Sequence, residues 1–182
     1  MGLPLVLLIW ASIRKEGSII KLLTIYLKIA SLLAISMLLL TNQRSIGYAT
    51  LFAAPLLMIG SVWFWIDLNE ELAELPLWRP LPFTIRLWRW LLTGFGLITA
   101  TTAFTSLNCV KNAQDSICRA WLEAPLGLHQ TTEKIFRFLF GANWTEPVAA
   151  FVGYIALTGY LIGIIQWILI RLPKQGRIAG DF

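Results

Sequence analysis

The sequence predicts an all-α integral membrane protein: a helical bundle of four full transmembrane helices, a short N-terminal apolar helix and short amphipathic interfacial helices. Of its 182 residues, 57% are hydrophobic and only 14% are charged, whereas average soluble domains carry about 25% charged residues. Several apolar runs also approach the length of about 20 residues that a helix needs to cross a bilayer. We therefore expect a single membrane domain over residues 1–182.

The first two apolar runs differ in length. Residues 3–13 are apolar but span only about 16–18 Å as a helix, so we expect a partial membrane helix with its N-terminus outside. Residues 19–40 are long enough for a full span. Lys21 and Lys28 lie seven residues apart in this run and share one helix face. We expect both ammonium groups to extend to the near interface.

The third and fourth spans are predicted over residues 50–66 and 83–104. Four tryptophans bracket the short connection between them: Trp63, Trp65, Trp88 and Trp90. Tryptophan is enriched at the headgroup level of bilayers. This pattern therefore indicates an aromatic belt at one membrane face.

The fifth run, residues 147–170, contains no charged residue and is the clearest span. If the spans alternate, ten of the 15 lysine and arginine residues share the C-terminal side. The other five are spread over longer segments: Arg44, Lys111, Arg119, Lys134 and Arg137. The positive-inside rule then places the C-terminus in the cytoplasm and the loop 105–146 outside.

A short amphipathic helix is predicted near the end of this outside loop. Thr131 or Thr132 is suited to cap its start, and Gly141 is suited to end it. Glu133 and Arg137 are spaced for an i,i+4 ion pair. We expect this helix to lie flat in the interface.

Cys109 and Cys118 are the only cysteines and fall in the outside loop. In an oxidising compartment they can close a small loop, which stabilises a fold by about 2.5–3 kcal/mol. Two free thiols and a redox-active or pigment-anchoring pair are the alternatives. A CxxC motif is absent from the sequence.

The main acidic cluster follows the third span and consists of Asp67, Glu70, Glu71 and Glu74. Three leucines with helical spacing form the opposite stripe: Leu68, Leu72 and Leu75. The pattern predicts an amphipathic helix that continues the third span until Pro76. Three interpretations of its acidic face remain open. The face is a solvated surface partly neutralised by nearby arginines, a docking surface for a partner subunit, or a divalent-cation site. The nearby arginines are Arg79, Arg86 and Arg89.

Small residues mark the predicted helix-packing faces. They are Gly153, Ala156, Gly159 and Gly163 in the fifth span and Gly96 and Ala100 in the fourth. Small side chains let helix backbones approach closely within lipid. These faces pack either within the monomer or against another subunit.

No catalytic motif or cofactor site is recognisable in the sequence. The single histidine, His129, lies in the outside loop, away from any ligand cluster. The basic residues follow membrane flanks rather than a nucleic-acid-binding stripe. We therefore predict no enzymatic activity, no metal or cofactor and no nucleic-acid partner.

Several segments together resemble a cyanobacterial family of small multi-pass membrane proteins with no assigned function. They are SLLAISMLLL, WFWIDLNEELAELP, RLWRW, CRAWLEAP and RLPKQGR. The resemblance implies a thylakoid or plasma membrane, with the outside loop lumenal or periplasmic. We expect an accessory or assembly component that contacts lipid and a larger membrane complex, for which a photosynthetic complex is one candidate. The alternative is a small transporter or channel in which Lys28 and Thr99, Thr101 and Thr102 line a path.

Overall fold

A computed structural model describes residues 2–76, 78–110 and 116–179. These residues form helices and no strand. The main helices are α1 (Gly2–Arg14), α2 (Gly17–Thr41), α3 (Ser45–Trp63), α4 (Ile66–Glu74), α5 (Pro80–Ser106), α6 (Ser116–Phe140) and α7 (Glu146–Gln166). A short 3-10 helix, Leu107–Val110, extends α5. A π-helical turn, Trp167–Arg171, and a short helix, Leu172–Gln175, extend α7.

Four of the described helical segments are long and apolar enough to cross a membrane: those containing α2, α3, α5 and α7. The predicted all-α membrane fold with a short N-terminal helix is therefore confirmed. The third span differs from its predicted bounds, since α3 ends at Trp63 and α4 begins only at Ile66. The acidic helix is thus a separate element, and the prediction that it continues the third span was wrong.

The described chain divides into two compact units. One comprises residues 1–30, 56–98 and 164–182, and the other comprises residues 31–55 and 99–163. The core of the first unit contains buried residues of α1 to α5, including Leu7, Leu23, Val62, Leu72 and Ile85. Within it the Tyr26 and Trp88 rings meet edge to face at 4.9 Å.

The second unit contains the end of α2 and the start of α3, which form a hairpin with a connection of only three residues. At Gly47 a Cβ atom would lie 2.9 Å from Leu40 Cγ, so the hairpin requires glycine at that close approach. Tyr48 and Leu40 are fully buried, and they cluster with both cysteines and Leu122 of α6. This cluster fixes the first half of α6 against the hairpin.

Helix α6 is much longer than the short helix predicted at the end of the outside loop. Thr131 and Thr132 do not cap its start, because their hydroxyls donate to the Gly127 and Leu128 carbonyls in mid-helix. The predicted end is confirmed, since the helix stops at Phe140 and Gly141 has a φ of 65°. The side chains of Glu133 and Arg137 form the expected ion pair at 2.6 Å.

Candidate functional site

The C-terminus of α3 is closed by side chains from two other helices. The last carbonyls of a helix have no partner in their own helix. Asn69 of α4 donates to the Trp63 carbonyl at 3.1 Å, and Arg89 of α5 donates to the Val62 carbonyl at 3.3 Å. Arg89 also binds the Asn69 side-chain oxygen through the same Nη2. The chain can therefore turn from α3 into α4 without a glycine.

The C-terminus of α4 is closed by a second arginine of α5. Nη2 of Arg86 lies 2.6 Å from the Leu72 carbonyl oxygen, 3.0 Å from that of Ala73 and 2.9 Å from that of Leu75. A cation at this helix end also meets the negative end of the helix dipole. Arg86 and Arg89 stand three residues apart, so one face of α5 closes both helices.

Between these helices lies a cleft of about 320 Å³, which we call the arginine–tryptophan cleft. It is lined by Trp63, Asn69, Leu72, Ala73, Arg86, Arg89 and Trp90. The Trp63 and Trp90 rings meet edge to face at 5.2 Å. The Trp63 indole N–H donates to the Thr93 hydroxyl at 2.9 Å, and this bond fixes the orientation of the ring.

The guanidinium of Arg89 is the unusual group of the cleft. The residue is only 6% exposed, and its Cζ lies 4.2 Å from the centre of the Trp63 ring. Nη2 makes the two bonds described above, whereas Nε has no acceptor among the described residues. Among the residues that the structure describes, no carboxylate bonds to Arg89. The groups that face its positive charge are therefore the dipoles of carbonyls, of the Asn69 amide and of the Trp63 ring.

A family model with the description "Protein of unknown function (DUF3177)" matches residues 1–180. The chain belongs to the DUF3177 family. Searches of the curated proteins and of the solved structures returned no match. The expected resemblance to a family without assigned function is thereby confirmed, and the family description supplies no residue roles for the cleft.

The four residues of the predicted acidic docking cluster have two different environments in this DUF3177 member. Asp67 bonds to the C-terminal segment, whereas the three glutamates are exposed. Both carboxylate oxygens of Asp67 accept the Ala179 backbone N–H, at 3.0 and 2.9 Å. The Ile66 N–H donates to the Arg177 carbonyl, and Arg177 Nε donates to the Phe64 carbonyl. Asp67 therefore holds the C-terminal segment of its own chain at the α3–α4 turn.

The other three acidic residues, Glu70, Glu71 and Glu74, are exposed on α4. The sequence predicted that arginines partly neutralise these carboxylates. In the structure Arg86 and Arg89 instead donate to backbone carbonyls at the ends of α4 and α3. The Arg79 guanidinium lies 3.5 Å from the carboxylate of Glu16. Among the described residues no group of three or more acidic, histidine or cysteine side chains could hold a metal ion.

The predicted small-residue face of α7 has two different environments. A Cβ atom at Gly153 would lie 3.2 Å from two side-chain atoms of Leu39 and 3.3 Å from Leu38 Cβ, so Gly153 packs against α2. Ala156 is half-buried and packs against the apolar cluster that contains Leu39. At Gly159 and Gly163 an added Cβ would meet no described atom within 4 Å. The GxxxG part of this face is therefore open.

In α5 the small-residue prediction concerns Gly96 and Ala100. Both are buried, and they lie one helical turn apart. In contrast, the neighbouring Phe95 and Leu97 side chains are 68% and 51% exposed. The small residues of α5 therefore face the protein interior, and large apolar side chains face outward.

Cys109 and Cys118 are joined by a disulfide, with their Cα atoms 5.7 Å apart. Both cysteines are buried, in the cluster that contains Tyr48. The bond ties the start of α6 to the end of the α5 segment. The residues between the helices, 111–115, lie outside the described part of the chain.

Sequence reasoning missed the arginine–tryptophan cleft, although it singled out most of its residues separately. The tryptophans were assigned to an aromatic belt and the arginines to charge bias. The available signal was the RLWRW segment, in which two arginines three residues apart follow two helices that end without glycine.

Proposed function

We propose that this protein is a non-enzymatic accessory or assembly component of a larger membrane complex. The observation that supports the proposal is the open GxxxG face of α7, where Gly159 and Gly163 have no described atom packed against them. Helices associate within lipid through such small-residue surfaces because their backbones can approach closely. The partner in this proposal is a transmembrane helix of another subunit.

The proposal includes an orientation with a cytoplasmic C-terminus and a lumenal or periplasmic 105–146 segment. The lysine and arginine distribution supports it. The disulfide between Cys109 and Cys118 supports it further, since such bonds persist in oxidising compartments. We place the protein in a thylakoid or plasma membrane of a photosynthetic host, as the sequence resemblance implies.

Native co-purification in mild detergent tests the accessory role. We expect the wild-type chain to migrate with a defined membrane partner. Gly159→Leu should lose that partner while the protein remains folded, because the added side chain fills the open face. Phe151→Leu, on another exposed part of α7, is the matched control and should retain it. Recovery of wild-type monomer alone would contradict the proposal.

Orientation is tested with a protease added to sealed vesicles. Cleavage after Lys174 or Arg177 should occur only from the cytoplasmic side. Cleavage from the opposite side would reverse the assignment. A transport path gains no support from the structure, since Lys28 and the threonines Thr99, Thr101 and Thr102 are all exposed on their helices.

A further inference from the structure

We propose that the arginine–tryptophan cleft binds a phosphate-bearing anion, and that this anion is the headgroup of an acidic phospholipid. The inference is independent of the accessory role proposed above. It rests on the charge balance of the cleft, on the Arg89 Nε donor that lacks an acceptor among the described residues, and on the apolar surface beside the cleft.

The charge balance comes first. Arg86 and Arg89 bring two positive charges to one cleft, and the described residues lining it include no carboxylate. Their bonded partners are carbonyl and amide oxygens. A helix C-terminus presents only about half an elementary charge, so the two helix ends compensate the two guanidinium groups incompletely. A bound anion completes the compensation.

The second observation is the burial of Arg89. A charged group that is 6% exposed has lost most of its hydration, and burial of a charge is costly unless it is paired and hydrogen-bonded. Nε has no acceptor among the described residues. Guanidinium is the side-chain group that best matches phosphate oxygens, since its planar donors bind them in pairs.

The lipid source follows from the surroundings of the cleft. Trp90, which lines it, is 66% exposed, and Leu87 and Leu91 beside it on α5 are each 50% exposed. These side chains form an outward apolar surface next to the two arginines. Tryptophan is favoured at the headgroup level, and basic pockets between transmembrane helices bind acidic lipid headgroups. A phosphate in the cleft can therefore have its acyl chains along α5.

The test uses the purified full-length protein, freed of bound lipid, and measures ligand binding by native mass spectrometry and thermal unfolding. The probes are phosphatidylglycerol, phosphatidylcholine with the same acyl chains, and inorganic phosphate. Both lipids carry a phosphodiester, but the choline ammonium makes phosphatidylcholine net neutral, so we expect phosphatidylglycerol to bind the two arginines about tenfold more tightly. Inorganic phosphate should not displace it.

Arg89→Gln and Arg86→Gln should each lose about tenfold in phosphatidylglycerol affinity. Arg79→Gln is the matched control, because it removes the same charge near the same helix start but does not line the cleft. The affinity of Arg79→Gln for phosphatidylglycerol should stay within about twofold of the wild-type affinity. Since Arg86 and Arg89 also close helix ends, Trp90→Ala provides a second variant that keeps both arginines and should weaken binding of the lipid.

Each remaining outcome decides the proposal. Phosphate binding that Arg89→Gln abolishes, without lipid preference, would keep the anion site and overturn the lipid assignment. Equal affinity for both lipids would overturn the assignment to an acidic phospholipid, and lipid binding that Arg89→Gln leaves unchanged would overturn the site altogether. An equal loss in Arg79→Gln and Arg89→Gln would do the same, because it would show attraction by overall charge alone.

Discussion

Replacing Gly153 with leucine tests the packing of α7 against α2. A Cβ atom at this position would lie 3.2 Å from Cγ and Cδ2 of Leu39 and 3.3 Å from Leu38 Cβ. Leu39 is fully buried, so it cannot move outward to make room. Gly159→Leu adds the same side chain to the same helix in open space, and it is the matched control.

The expected magnitude follows from comparing these two variants. Both gain the same helix propensity, about 0.8 kcal/mol from glycine to leucine, so this contribution cancels. The difference is the cost of overpacking a filled core, about 1–3 kcal/mol. We therefore expect Gly153→Leu to be less stable than Gly159→Leu by about that amount.

Reversible unfolding in mixed micelles, followed by circular dichroism at increasing denaturant, measures this difference in the free energy of unfolding. The wild-type protein provides the reference curve, and equal slopes would show that the unfolded states are comparable. Equal stability of the two leucine variants would refute the close approach of α7 to α2 at Gly153.

Three further changes have defined outcomes. Arg86→Met removes the donor to three carbonyls at the end of α4, so amide hydrogen exchange in that helix should accelerate about tenfold or more. Cys109→Ser opens the disulfide loop and should lower the free energy of unfolding by about 2.5–3 kcal/mol; reductant should produce the same loss in the wild type and none in the variant. Asp67→Ala removes the acceptor for the Ala179 N–H, so trypsin should cleave the C-terminal segment several-fold faster in detergent, while Glu71→Ala, on the exposed face of α4, should leave the cleavage rate unchanged.

Hydropathy was sufficient to predict the membrane helices, because the bilayer imposes both their length and their apolar composition. The predicted spans 19–40 and 83–104 lie within α2 and α5. The sequence also predicted the apolar stripe of the acidic helix, and in the structure Leu68 and Leu72 of that stripe are each 2% exposed. These features depend on short-range periodicity, which a single sequence contains.

The cleft could not be predicted because it depends on contacts between helices. Arg89 and Val62 are 27 residues apart, and Arg86 and Leu72 are 14 apart. The RLWRW segment and the helix ends without glycine were the one local signal, but the positive-inside rule explains the same arginines, and the partner carbonyls are not visible in a local pattern. The same reason explains Asp67, whose partner Ala179 is 112 residues away.

Because α5 supplies the groups that close α3 and α4, the turn between them depends on a segment synthesised later. When only α4 has been synthesised, Asn69 can already bind the Trp63 carbonyl, but the carbonyls of Val62 and Leu72 still lack their partners from α5. Arrival of Arg86 and Arg89 completes both ends together. The α3–α4 turn is therefore completed in two steps, first by α5 and last by the C-terminal segment, in which Arg177 donates to the Phe64 carbonyl.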